Sequence, residues 1–320
     1  MTDFPDLNAL PSGAHRLALK VGAMPDGAPI DVPVRVIVGA QPRPRVAVMA
    51  AVHGDEYEGV RAVVDLGREL DPAQLAGSVV LVPVSNPLAF NALMRVSPID
   101  GVNLNRVFPG NPNGTPSERL ANILTRRVAA QADALIDLHS GGTRYMFQPQ
   151  AGFYRLAGEA ALSQRSFEMA QAFGLDLLWE LPSRAGVNSY EAMRAGVPAI
   201  GLEIGGNGRC EMAHVQLAKQ GVKNVLALLG VLPGVDWVGQ PTQRVWRGDF
   251  TLCPVSGLFD PAVSLNTEVK VGQLLYSILD LHGDRRYQRF AEHDGLVSAI
   301  RVFAAIQAGE WDISVLTEVA

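Results

Sequence analysis

Short apolar runs rich in valine and isoleucine recur through the first two thirds of the chain: VPVRVIVG, RVAVMAAV, SVVLVPVSN, ADALIDLH and PAIGLEIGG. Their length and β-branched content predict strands buried on both faces. Between them the period changes. After His53, the apolar residues Val60, Val63, Val64 and Leu70 fall at helical spacing, leaving Arg61, Asp65 and Arg68 for the wet side. The segment TPSERLANILTRRVAAQA opens with Thr115 as N-cap, Pro116 at the first helical position and Glu118 three residues after the cap. That is a capping box with a proline start. Its apolar stripe is Leu120, Ile123, Leu124 and Val128, and a further helix runs through Val215, Ala218, Val222, Val225, Leu226 and Leu229. Apolar strands alternating with amphipathic helices predict an α/β sheet flanked by helices on both faces.

The texture changes after about residue 236. The segment QPTQRVWRGDFTLCPVSGLFDPAVSLNTEVKVGQLLYSILDLHGDRR consists of short alternating pieces divided by Gly, Pro, Asn and Asp, with no long helical stripe. This predicts two units, residues 1–236 and a small all-β unit over 237–320, with the boundary near LPGVDWVGQP.

Composition excludes several classes. The chain has 320 residues, 48% hydrophobic and 18% charged, enough apolar material for a sizeable core. Its net charge of −5 argues against a nucleic-acid partner, which requires clustered Lys and Arg. The N-terminal MTDFPDLNALPSGAHR carries acid and proline where a signal peptide needs a basic start and an apolar run. The most apolar stretch, NVLALLGVLPGVDWVG, is broken by Gly230, Pro233 and Gly234 and is too short to span a bilayer. Cys210 and Cys253 are the only cysteines, too few for a disulfide framework. A cytoplasmic, soluble protein with no membrane partner is expected.

Of six histidines, two end predicted buried strands: VMAAVH delivers His53 and ALIDLH delivers His139. Ligands of open α/β sheets gather beyond the carboxyl ends of strands. Glu56 follows His53 by three residues, at the start of the next helix, where one turn brings both side chains to one side. With His139, 86 residues downstream, the set is His₂Glu, which leaves a fourth position open as catalytic zinc requires. The plainer reading is that Asp55, Glu56 and Glu58 are charges favouring a helix N-terminus. Glu203 sits inside the apolar strand PAIGLEIGG. A buried carboxylate is either paired with an arginine or poised for chemistry, and in a metallohydrolase it would be the general base acting on water. The stretch 86–114 is long, aperiodic and rich in Asn, Pro and Gly, with Arg95 and Arg106 as its only cations and Asn103 and Asn105 flanking Leu104. A guanidinium beside an amide suits capture of a carboxylate, and a second can stabilise an oxyanion, although loop arginines are commonly just solvated.

HGDE, NP…R…NLNR.F, DLHSG and LEIGG, in that order, resemble the succinylglutamate desuccinylase/aspartoacylase family of the zinc-carboxypeptidase-like group, over roughly residues 30–235. The resemblance implies a zinc amidohydrolase with a zinc-carboxypeptidase-like mixed sheet and one Zn²⁺ per chain. His53, Glu56 and His139 match the metal ligands, Glu203 the catalytic glutamate, and Asn105–Arg106 the carboxylate-binding pair. Arg95 matches the arginine that polarises the scissile carbonyl, although SPIDGVN is longer than the aspartoacylase spacing, so another arginine could take that role. RVSPIDGVNLNRVFPG is closer to a bacterial branch that includes N-acetyl-diaminobutyrate deacetylases of ectoine breakdown. The C-terminal region resembles a barrel-sandwich hybrid, but Lys270 sits in the VKVGQ turn rather than at a carrier's hairpin tip, so a wall over the cleft is expected instead of a swinging arm.

The reading that emerges is a deacylase cleaving the amide of a small N-acyl amino acid through a zinc-activated water, with Glu203 as general base. A metallocarboxypeptidase acting on short peptides and a non-catalytic zinc-containing binding protein are the alternatives, and homo-oligomerisation is left open. Asp137 is expected to orient His139, Asp55 and Glu58 to be helix-start charges, with holding the His53 ring as a second option for Asp55, and His214 to start a helix or line the cleft. His15, His282 and His293 are expected at the surface.

Overall fold

The computed structural model describes residues 4–234 and 244–319. The expected boundary at 236/237 lies outside the described residues. The first part contains strands β1 (Gly13–Ala23), β2 (Pro29–Val38), β3 (Arg45–Ala50), β4 (Ser78–Val82), β5 (Ala134–His139), β6 (Tyr145–Phe153), β7 (Leu177–Glu180) and β8 (Ala199–Gly206). Its helices are α1 (Glu58–Glu69), α2 (Pro87–Asn91), α3 (Pro116–Arg127), α4 (Ala160–Phe173), α5 (Asn188–Arg194) and α6 (Met212–Leu228). The rest is β9 (Arg244–Arg247), β10 (Phe250–Leu252), β11 (Gly257–Pro261), β12 (Glu268–Val269), β13 (Leu274–Leu279), β14 (Arg285–Phe290), β15 (Gly295–Arg301), β16 (Ala305–Ile306) and β17 (Trp311–Glu318).

β4, β3, β5 and β8 lie side by side and parallel. β2 and β1 add antiparallel strands at one edge, and β6 pairs antiparallel with β8 at the other. The mixed sheet has helices on both faces, as the near-continuous apolar strands predict. Alternation along fully buried β3 shows why: Val46, Val48 and Ala50 join the core under α1, α4 and α6, while Ala47 and Met49 join the core under α3 and α5. The Thr115–Glu118 capping box forms at the start of α3, with Pro116 in the first turn.

Three strands were not foreseen. β1 alternates between half-buried and exposed positions, while β6 contains a proline, a glycine and two glutamines, so neither produces an apolar run. β7 has only four residues. The wet face of α1 also differs from expectation. Asp65 is buried and held at 3.0 Å by Arg61 Nε, whereas Val64 is 44% exposed.

The C-terminal strands pack around Phe259, Tyr276, Ile278 and Ile313. They also close onto the larger sheet. β6 pairs with β7, β7 with β9, β9 with β17, β17 with β15, and β15 returns to β6, so five strands form a closed ring. Lys270 is ion-paired to Asp294 at 2.9 Å. The ring carries the C-terminal residues Phe250 and Trp311 to the carboxyl edge of the sheet, where they line a cavity with the strand-end histidines.

Close packing between helices sets one testable limit. A β-carbon at Gly221 on α6 would stand 2.2 Å from the ring of Phe173 on α4. Gly→Ala inside a helix ordinarily stabilises by about 0.5–1 kcal/mol, but overpacking costs about 1–3 kcal/mol and outweighs it. Gly221→Ala is therefore expected to lower the denaturation midpoint. A raised midpoint would contradict the packing.

Candidate metal centre and substrate cavity

The turn after β3 carries His53 and Glu56, and β5 ends on His139. Because β3 and β5 are adjacent and parallel, their carboxyl ends deliver both imidazoles to one edge. Gly54 lets α2 close over this turn, since a β-carbon there would meet the Ala89 carbonyl carbon at 2.1 Å. Glu56 lies in the turn two residues before α1 begins, not within a helical turn as expected. The turn itself sets its approach to His53.

His53 Nδ1 lies 2.7 Å from Glu56 Oε1, and His139 Nδ1 lies 2.9 Å from Glu56 Oε2. All three residues are buried, and one donor atom from each lies within 4.8 Å of the others. The far nitrogens have polar neighbours: His53 Nε2 is 3.0 Å from Asn103 Oδ1, and His139 Nε2 is 3.3 Å from Asp137 Oδ2 and 3.4 Å from the Asn105 amide nitrogen. A neutral imidazole carries one hydrogen. On His53, placing it on Nε2 toward Asn103 turns the Nδ1 lone pair toward the Glu56 carboxylate, and a cation between them would resolve that contact. Burial opposes charge on His139, but Asp137 and Glu56 hold its pKa well above the ordinary range. Burial and Arg95 push His53 down. Burial alone would raise Glu56, yet the two imidazoles hold it well below the usual carboxylate value. The donor set fits a divalent metal of the zinc type.

Glu203 stands beside His139 in the β5–β8 register. Its Oε2 is sealed from solvent without a hydrogen-bond partner, and burial together with Glu56 raises its pKa to about 8. The arginine partner of the alternative reading is absent among the described residues. Arg95 Nη1 donates to Glu56 Oε1 at 2.8 Å. Arg106 donates to the Asn105 carbonyl at 2.6 Å and sits 5.8 Å from the Trp311 ring. Burial, then Arg184 and Arg95, lower the Arg106 pKa to about 10. Asn105 Oδ1 accepts from the Asn188 backbone amide at 2.8 Å, while its amide nitrogen lies 3.4 Å from His139 Nε2 at the cavity wall.

His53, Arg95, Asn105, Arg106, His139 and Glu203 line one cavity, with Glu56 between the histidines. Sequence reasoning missed Arg184, Asp249, Tyr145, Phe250 and Trp311, which line the same cavity. Arg184 and Asp249 form an ion pair across it. Phe250 and Trp311 stack at 4.9 Å and 7°. Closure of the strand ring brings Asp249, Phe250 and Trp311 near the histidines, and no local pattern announces it.

Two acidic neighbours have other tasks than those expected. Asp55 does not hold the His53 ring. Its Oδ2 accepts from the Thr143 amide and hydroxyl, both at 2.9 Å. Glu58 opens α1 but is 1% exposed; its Oε1 accepts from the Gly206 amide at 2.9 Å, and burial raises its pKa to about 7. Asp137 meets His139 as expected, and His214 lies in the first turn of α6, away from the cavity.

Residues 42–229 match the family model of the succinylglutamate desuccinylase/aspartoacylase catalytic domain. The N-alpha-acetyl-L-2,4-diaminobutyric acid deacetylase of Halomonas elongata is 32% identical over 297 residues, covering 90% of this chain and 86% of that protein. Among solved structures, a succinylglutamate desuccinylase/aspartoacylase from Rhodobacter sphaeroides superposes with a TM-score of 0.88 at 28% identity, covering 97% of each chain. The product-bound ectoine utilization protein EutE (DoeB) from Ruegeria pomeroyi superposes with a TM-score of 0.87 at 30% identity, covering 97% of this chain and 98% of that one.

The Glu58 contact can be tested on the metal-free protein. Glu58→Gln keeps an oxygen for the Gly206 amide and is expected to hold stability near the parent. Glu58→Leu leaves that buried amide without an acceptor, at a cost of about 1–3 kcal/mol. Urea denaturation separates the two, and equal losses would show that the hydrogen bond contributes nothing.

Proposed function

The chain belongs to the succinylglutamate desuccinylase/aspartoacylase family, and from that premise we propose that it is a zinc-dependent deacylase acting on a small N-acyl amino acid. The observation that carries this reading is the convergence of His53, Glu56 and His139 beside a partnerless Glu203, in a cavity that also holds Arg95 and Arg106. His53, Glu56 and His139 would hold the metal. When bound there, zinc supplies Lewis acidity to the amide carbonyl and makes water nucleophilic near neutral pH.

The chain's own residues carry the remaining steps. Arg106, with the Asn105 amide, holds the substrate carboxylate. Glu203 accepts a proton from the attacking water and passes it to the leaving nitrogen. Arg95 donates to the carbonyl oxygen as negative charge develops there. The aromatic wall of Tyr145, Phe250 and Trp311 limits water around the reacting carbonyl.

Asp249 is a carboxylate of the cavity wall committed neither to the metal set nor to proton transfer. It is held by Arg184, so an ammonium on the substrate side chain would share that ion pair. The Halomonas relative's name favours an N-acetylated diamino acid. The family and this relative favour a deacylase over a carboxypeptidase.

Three experiments test the proposal. Glu203→Gln is expected to retain stoichiometric zinc by elemental analysis while turnover falls by roughly 10²–10⁴-fold; near-normal turnover would sink the general-base assignment. His139→Ala is expected to lose both zinc and activity, with a zinc content equal to the parent's contradicting the ligand set. A panel of N-acetyl, N-succinyl and N-formyl amino acids alongside free and C-terminally blocked dipeptides should show hydrolysis of N-acyl amino acids first. Cleavage of dipeptides alone would indicate a carboxypeptidase, and stoichiometric zinc with no hydrolysis a binding protein.

A further inference from the structure

A second cleft lies between the β1–β2 hairpin and α1. It encloses about 360 Å³ and shares no lining residue with the catalytic cavity. That volume falls within the roughly 300–1,000 Å³ of small-molecule sites. Its floor is apolar, from Val63 and Leu81, and Val64 remains 44% exposed within it. Arg16, Arg35 and Arg68 stand around it.

The arrangement of these arginines is the anomaly. Arg16 and Arg35 are direct cross-strand partners in the β1–β2 register. Like charges in that position repel and destabilise a sheet. Arg35 is also half-buried, and its Nε is shut off from solvent without an acceptor. Among the described residues, no hydrogen bond or ion pair supplies any of the three guanidiniums with a carboxylate. The acids of α1 are engaged elsewhere: Asp65 with Arg61, and Glu69 with Lys219 and Lys223. A fold that places two guanidiniums opposite each other over an apolar floor, and leaves them without a counter-charge, is complementary to an anion with an apolar tail. The head would meet the guanidiniums by charge-assisted hydrogen bonds, and the tail would cover Val63, Val64 and Leu81.

We propose that the cleft between the β1–β2 hairpin and α1 binds a small amphipathic anion, a carboxylate or phosphate head on an apolar tail. The proposal is independent of the deacylase reading. Calorimetric titration of the full chain tests it, with octanoate and octyl phosphate as probes and octanol and inorganic phosphate as controls. At least one amphipathic anion is expected to bind at one per chain, its comparison with the other identifying the preferred head, while octanol and inorganic phosphate bind much more weakly. Arg35→Gln should weaken binding by roughly tenfold, the worth of one charge-assisted hydrogen bond. Arg106→Ala, in the catalytic cavity, should leave it unchanged. Without ligand, Arg16→Gln should match or exceed the parent's melting temperature, because it removes the repulsion; that readout also shows that the variant folds. Absence of binding by both anions, binding insensitive to Arg35→Gln, or octanol as tight as the anions would overturn the proposal. So would self-association of the chain that is lost in Arg35→Gln, which would assign the cleft to a second copy.

Discussion

The architecture turns on one buried carboxylate. Glu56 is 2% exposed and receives His53, His139 and Arg95 on its two oxygens. A carboxylate so placed is costly unless it is paired, and its partners come from three separate parts of the chain. His53 reaches it from the same turn and His139 from the end of the neighbouring parallel strand, while Arg95 comes from the long loop after α2. Around it, Asp55, Glu58, Asp137 and Glu203 add acidic groups, several with oxygens that lack a hydrogen-bond partner. Such a surplus of buried acceptor capacity around two imidazoles suits a divalent cation better than it suits a solvent-free core.

What surrounds the carboxylate is delivered by topology. Parallel pairing of β3, β5 and β8 aligns three carboxyl ends, which sets His139 opposite Glu203 in register. Antiparallel β6 then leaves the larger sheet and joins β7, β9, β17 and β15 in a ring. The ring is why residues 46 to 108 positions beyond Glu203, among them Asp249, Phe250 and Trp311, stand in the same cavity as His53. The C-terminal strands thus form the wall of the cavity, and the side chains on that wall are the ones positioned to distinguish one substrate from another.

This division explains what could be read from the chain. His53 and His139 were legible because each closes an apolar run, and strand ends are where a parallel sheet exposes its chemistry. Glu203 was legible because a charge inside a buried strand needs a reason. The capping box of α3 was legible because its chemistry is local. Arg184 and Asp249 were not, since an ion pair between positions 65 residues apart has no local signature. Asp65 was misplaced because an amphipathic stripe cannot foresee that Arg61 will cover it on the same helix. The mistake over Asp55 and Glu58 is of another kind. Acidic residues before a helix are ordinarily solvated and favour its dipole, and here the surrounding strands bury them.

That burial has a structural consequence. Asp55, Glu56 and Glu58 each tie the turn after β3 to a different neighbour: Asp55 to Thr143 in the loop after β5, Glu56 to the His139 ring, and Glu58 to the Gly206 amide at the end of β8. Three carboxylates within four positions therefore fasten together the carboxyl ends of the three strands that carry the site. Hydrophobic residues of similar volume would cost less to bury, but they could not fix a backbone amide or an imidazole at a defined distance. The polar cross-links hold His53, His139 and Glu203 in mutual register at the one edge of the sheet where loops are otherwise free to move. A constellation of the proposed kind would need that register within about half an ångström.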